Sequence, residues 1–235
     1  MLPGYTVYDL TQPLTDASPA YDPNDFFNLQ TTLDYEQCMT ATKFRVQKIT
    51  MPLGVGTHMD AAAHAHPGAK TIEQYPIQEL FFPLCIVDCR DVCNTQELII
   101  NPKHIHNFEA LYGTIPARSF VYLYTGWATY WTNAHTYCNQ QPHGNMHIPT
   151  AHQDTINLLQ KRSIAGLGID TLSPDQAPAF YAHANLLDNG CIIVENLATP
   201  NKAIPNVGAH IGIIPLPITG ATESPVRAIA FVHER

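Results

Sequence analysis

Gly54-Val55-Gly56-Thr57-His58-Met59-Asp60-Ala61-Ala62-Ala63-His64 places two imidazoles and a carboxylate in a stretch whose other side chains are mostly small. Asp and His offer the oxygen and nitrogen donors that hold Zn²⁺ or Mn²⁺, while glycine and alanine let backbone and ion approach closely. If Thr57 to Asp60 is extended, His58 and Asp60 point to one face, because side chains alternate along a strand. If the alanines that follow turn helical, His64 lies one turn beyond Asp60 on the same side. A His-x-Asp pair alone also serves solvated or capping roles, so the motif needs partners from elsewhere in the chain.

The second half supplies a matching pair, His183 and Glu195. Between them, Ala184-Asn185-Leu186-Leu187 can finish a helix, Asp188-Asn189-Gly190 can turn the chain, and Cys191-Ile192-Ile193-Val194 can form a buried strand. Glu195 then ends that strand, where carboxylates of α/β sheets face ligands. A carboxylate after four apolar residues is costly to bury unpaired, and a cation would compensate it. The alternative is that Glu195 opens a solvated loop.

Around these segments the chain reads as strand-rich α/β. Strands are expected at 5–10, 42–51, 84–88, 119–124, 164–169, 191–195 and 227–232, and helices at 103–112, 150–160 and 182–187. Proline is spread along the chain, and neither a linker nor an internal repeat divides it, so residues 1–235 are expected to form one domain. Long loops within a compact domain usually carry a site, and here they carry histidines.

A net charge of −8 with 14% charged residues leaves no basic stripe to neutralise phosphates, so nucleic acid is not an expected partner. No apolar run reaches the length of about 18 residues that spans a bilayer, and Met1 to Tyr5 lacks the pattern of a secretory leader, so the expected location is cytoplasmic. Cys85, Cys89 and Cys93 recur at intervals of four, but Leu84 to Cys89 alternates like a strand, and Cys85 and Cys89 read as small apolar packers on one face. Trp127, Tyr130 and Trp131 read as core packing before a substrate wall, and Asp170 and Asp175 as turn and cap residues around Ser173-Pro174. Arg227 interrupts an apolar strand and calls for a carboxylate partner.

These segments together resemble the cyclase family of metal-dependent hydrolases, which includes bacterial kynurenine formamidases. Gly56, Thr57, His58, Asp60 and His64 match its signature, His-x-Gly-Thr-His-x-Asp-x-Pro-x-His, in register. Similar matches run along the chain at Tyr8-Asp9-Leu10-Thr11, Thr125-Gly126-Trp127, Gly168 to Asp175, Glu195-Asn196-Leu197 and Ser224-Pro225-Val226-Arg227-Ala228.

The resemblance implies a swivelling β/β/α cyclase-like fold, an α/β architecture with a mostly parallel central sheet and a smaller antiparallel one, assembled as a homodimer or higher homo-oligomer. It implies metal ligation by His58, Asp60, His183 and Glu195, Asp60 bridging where two ions are bound, with His64 moving protons and Tyr21 near the substrate. Zn²⁺ is the first choice and Mn²⁺ the second, with one or two ions per chain. The implied chemistry is hydrolysis of a small amide such as N-formylkynurenine, or of a cyclic amide, by activated water. No Gly-x-Ser-x-Gly elbow offers a serine nucleophile instead.

Two positions depart from the signature: Gly54 stands where it has its first histidine, and Ala62 where it has proline. Losing the histidine weakens or vacates one ion position unless another group fills it. His66, His143, His147 and His152 are the histidines left to do so, although each reads first as a solvated loop residue. The competing reading is a catalytically altered metal- or ligand-binding member of the family, or a hydrolase of lactones or other carbonyl compounds.

Overall fold

A computed structural model describes residues 3–234. In chain order the strands are β1 (Tyr5–Asp9), β2 (Asn28–Leu33), β3 (Val46–Thr50), β4 (His58–Asp60), β5 (Phe81–Asp88), β6 (Ile99–Ile100), β7 (Phe120–Tyr124), β8 (Thr150–Ala151), β9 (Gly166–Ile169), β10 (Ile192–Glu195), β11 (Ala209–Pro215) and β12 (Glu223–His233). The helices are α1 (Pro102–Tyr112), α2 (Ala134–Cys138), α3 (Gln153–Lys161) and α4 (Tyr181–Asp188). No helix of the described residues is long and apolar enough to cross a membrane.

Seven strands close into a ring in the order β12, β11, β5, β7, β9, β10, β4 and back to β12, with β1 as an eighth strand against β12. The run β5, β7, β9, β10 is parallel, and every other pairing in the ring is antiparallel. Closure depends on β12, whose eleven residues are long enough to serve several neighbours. One edge follows β11, while the other is divided between β4 at Glu223–Pro225 and β1 at Ile229–His233. The expected mostly parallel central sheet is therefore corrected to one mixed, closed sheet, in which the antiparallel strands join both ends of the parallel run. The closed ring pairs both edges of its seven strands, so the edge left to this sheet is that of β1, which pairs with β12 alone. β2 and β3 form a separate two-stranded antiparallel ladder.

Period-two alternation explains how the ring is filled. Leu84, Ile86, Phe120, Tyr122, Ile192 and Val194 enter one apolar cluster inside the ring, while Cys85, Val87, Val121, Leu123 and Ile193 point outward to a second cluster shared with α1, α3 and α4. Strands buried on both faces read as continuous apolar runs, which is why these segments were recognisable as strands. The interior is tight: a Cβ on Gly166 or Gly168 would come within 2.4 or 2.6 Å of the Phe120 ring.

β4 obeys the same alternation, with Met59 inside the ring and His58 and Asp60 on the outer face. α4 packs on that outer face, contributing Ala182, Leu186 and Leu187 to the second cluster. Elsewhere, Trp127 and Trp131 are core residues as expected, each donating its indole N–H to a backbone carbonyl. Cys85 and Cys89 pack in the second cluster, and all six cysteines are free. Arg227 finds its partner in Asp9 at 2.9 Å, on the surface rather than in the core. The strand β11, with Gly212 and Pro215 inside it, was not anticipated.

Candidate metal centre

The register of the ring places the charged residues of the centre. β4 lies between β10 and β12, where His58 stands opposite Glu195 on one side and Asp60 opposite Glu223 on the other. All four side chains then share the outer face, since opposed residues of antiparallel strands point the same way. Just beyond Asp60, a single 3-10 turn at Ala62–His64 brings His64 back over the same face. His183, in the first turn of α4, comes down from the helix layer.

Distances show how the set is arranged. His58 Nε2 lies 3.5 Å from Asp60 Oδ1 and 3.4 Å from Glu195 Oε2. His183 Nε2 lies 3.5 Å from Asp60 Oδ2 and 3.4 Å from Glu195 Oε1. Each carboxylate thus turns one oxygen toward each imidazole. His64 Nδ1 and His58 Nε2 face the two oxygens of Glu223, at 3.7 and 3.9 Å respectively.

The imidazoles of His58 and His183 are held from behind. His58 Nδ1 donates to the carbonyl of Gly56 at 2.9 Å, and His183 Nδ1 donates to Asp175 at 2.8 Å, so both Nε2 atoms are left facing the carboxylates. A second partner of this kind is the usual way a ligating imidazole is oriented. Asp175 also accepts the backbone N–H groups of Ala182 and His183 and so caps α4, as the sequence suggested. Its grip on the His183 ring was not foreseen, nor was the position of Glu223. The signal for the latter was a carboxylate immediately before the recognised Ser224-Pro225-Val226-Arg227 segment.

The polar accounting is incomplete without a cation. Asp60 is 1% exposed, yet neither of its oxygens has a hydrogen-bond partner, and the same holds for Glu195 Oε1. Buried carboxylate oxygens are costly when unmatched, and one ligand atom each from His58, Asp60 and Glu195 lies within 4.8 Å of the others. The donor set of imidazole nitrogens and carboxylate oxygens fits Zn²⁺ or Mn²⁺. The electrostatics agree. Burial disfavours the charged form of His58, but Asp60 and Glu195 outweigh it and raise its pKa. Burial likewise opposes protonation of His183, while Asp175, Asp60 and Glu195 hold its pKa well above the usual imidazole range. Burial raises the pKa of Glu195 in spite of both imidazoles. The centre therefore attracts positive charge.

A cavity of about 490 Å³ opens over this face, lined by His58, Asp60, His64, His183, Glu195 and Glu223, with Tyr21, Val55, Leu172 and Phe180 among its apolar walls. All five functional residues named from the sequence, together with Tyr21, thus share one cavity. Burial, followed by Glu195, raises the pKa of the Tyr21 phenol, consistent with its place beside the acids. The other histidines are elsewhere: His66 bonds the Ala184 carbonyl, His152 caps α3, His147 lines a neighbouring depression, and His143 is on the surface. None fills the space beside Gly54. That space holds Glu223, whose Oε1 lies 2.6 Å from where a Cβ on residue 54 would be.

Comparison with known proteins places this geometry. A family model described as "Putative cyclase" matches residues 8–176. An isatin hydrolase of Roseibium aggregatum is 29% identical over 188 residues, 75% of this chain and 71% of the relative. A kynurenine formamidase of Bacillus cereus is 28% identical over 94% of this chain and 95% of its own length. Among solved structures, isatin hydrolase A from Labrenzia aggregata bound to benzyl benzoate superposes with a TM-score of 0.87 at 25% identity, covering 98% of this chain and 95% of that one.

Proposed function

This chain belongs to the cyclase family, and from that premise we propose that it is a metal-dependent hydrolase of the carbon–nitrogen bond in a small formamide-like or cyclic amide. The observation that carries the proposal is the buried Asp60 carboxylate, both of its oxygens unmatched, set between two oriented imidazoles beneath an open cavity.

His58, Asp60, His183 and Glu195 would hold the cation, Zn²⁺ first and Mn²⁺ second, as one or two ions per chain. When bound, it would supply Lewis acidity, bringing the pKa of water toward neutral and drawing charge from a carbonyl oxygen. His64 takes the proton of the attacking water and returns it to the leaving nitrogen, so that a carbon–oxygen bond forms as the carbon–nitrogen bond breaks. The geometry suits that division of labour. His58 and His183 have their Nδ1 atoms committed to Gly56 and Asp175, whereas the His64 side chain is one-third exposed to the cavity. Tyr21 and Phe180 form an aromatic wall against which a planar substrate can lie.

Both open-chain arylformamides such as N-formylkynurenine and cyclic amides such as isatin fit this reading, since the relatives include hydrolases of each. We also propose a homodimer or higher homo-oligomer, supported by Leu29, Phe44, Val46 and Ile49, which are 49–58% exposed on and beside the β2–β3 ladder. The function is tested by loading purified protein with Zn²⁺ or Mn²⁺ and assaying formyl-amides, cyclic amides and lactones. Turnover of an amide, lowered by about 10²- to 10⁴-fold in His64→Ala with the ion retained, is the expected result. A loaded protein that hydrolyses neither class of amide would sink the proposal, and turnover of lactones alone would favour the carbonyl-hydrolase alternative.

A further inference from the structure

Asp60, His183 and Glu195 supply donors for an ion on one side of Asp60, but the opposite side lacks the side chain that the family signature has at position 54. The geometry points to Glu223 as the replacement. It closes a second cation position with His58 Nε2 and Asp60 Oδ1, using the space that Gly54 leaves open. This inference rests on the hydrolase reading above and extends it to the composition of the centre.

Three observations carry it. First, Glu223 Oε1 sits 2.6 Å from a Cβ built on Gly54, so the carboxylate stands in the space that a side chain at that position would enter, and such a side chain would displace it. Second, that oxygen lies 3.9 Å from His58 Nε2, which in turn lies 3.5 Å from Asp60 Oδ1, and one ligand atom each of Glu223, Asp60 and His64 falls within 4.8 Å of the others. Third, Asp60 Oδ1 is buried, unpartnered and turned toward His58 rather than His183. Its companion Oδ2 faces the other imidazole, as does Glu195 Oε1, so two cations have separate oxygens available.

The placement is built into the sheet and is not an accident of a flexible side chain. Glu223 stands in register with Asp60 on the strand beside it, and the antiparallel pairing fixes both on the outer face. The outer oxygen, Oε2, faces His64 Nδ1 at 3.7 Å. One carboxylate would therefore hold the cation with one oxygen and orient the proton-carrying imidazole with the other. The resulting set of one nitrogen and two oxygens is harder than a two-histidine set and favours Mn²⁺ over Zn²⁺ at this position.

Metal-free protein titrated with Mn²⁺ tests the inference by stoichiometry, affinity and electron paramagnetic resonance. The wild-type chain is expected to bind two ions and to show the spectrum of a coupled Mn²⁺ pair. Glu223→Gln, which keeps the side-chain shape, is expected to weaken the second ion by more than about 100-fold, beyond the loss caused by removing an outer hydrogen-bond partner. The first ion and the melting temperature of the metal-free protein stay unchanged, and the spectrum becomes that of an isolated ion. Gly54→His combined with Glu223→Gly should regain the ion that Glu223→Gly alone loses. A Glu223→Gln protein that still binds a coupled pair would overturn the inference. So would a wild-type chain holding a single ion that Glu195→Gln removes and Glu223→Gln does not, which would leave the hydrolase reading standing. A chain that binds no divalent cation would overturn both.

Discussion

On the β10 side of Asp60, the His183 and Glu195 side chains are 11% and 8% exposed, and Asp175 clamps the imidazole and its helix at once. On the β12 side, the Glu223 side chain is 27% exposed and His64 33%, with no hydrogen bond between them. The two flanks divide rigidity from access. Side chains on the buried flank are already oriented by their hydrogen bonds, which would lower the cost of binding a cation there. The open flank leaves groups free to exchange protons with solvent and substrate, the task for which an imidazole is suited.

The strongest test of this division removes what both flanks share. Asp60→Ala is expected to abolish binding at both positions and reduce turnover to background, measured by metal analysis after gel filtration. A variant that kept one full ion would show that the flanks do not depend on Asp60. His64→Ala should lower turnover by about 10²- to 10⁴-fold, the usual contribution of a general acid–base, while ion content is preserved. Loss of the ion together with activity would move His64 from proton transfer to ligation.

Asp175→Asn acts on the buried flank: its single carbonyl oxygen can still accept one of the two backbone N–H groups at the start of α4, while the hold on the His183 ring is weakened. Calorimetry should show ion affinity falling by about 10- to 100-fold, the range for an outer-shell partner of a ligating histidine. An equal loss at the Glu223 position would show the flanks to be one rigid unit. The smallest effect is on pH dependence. His58 and His183 have raised pKa values in the folded, metal-free protein, so their stabilising charge is fully present below the unfolded imidazole value near 6.5 and is lost as pH rises through the folded values. Metal-free protein should therefore melt at lower temperature as pH rises above neutral. Ion binding, which must displace those protons, should strengthen over the same interval. Melting curves with and without Mn²⁺ that moved in the same direction would contradict this.

Much of the buried flank was legible in the chain because its parts are local. His58 and Asp60 two apart in an extended segment, and a helix, turn and strand between His183 and Glu195, need only short-range rules. On the open flank His64 was legible from the same local motif, but Glu223 was not, because it meets Asp60 only through a strand pairing between residues far apart in the chain. Histidines near in sequence, such as His66, were better candidates by distance along the chain and poorer ones in space. Ring closure was hidden for the same reason: β11 carries Gly212 and Pro215, residue types that weaken a strand signal, and its pairings with β5 and β12 are both non-local. Asp175 was read as a cap, which it is, but a capping carboxylate has a second oxygen, and only the orientation of the first turn of α4 sends the His183 ring to it.

The shortness of β4 ties assembly to chemistry. With three residues paired on both edges, a slip by one position would send His58 and Asp60 into the apolar lumen and bring Met59 out in their place. Only the correct alignment of β12 beside β4 brings Glu223 opposite Asp60 and completes the cradle.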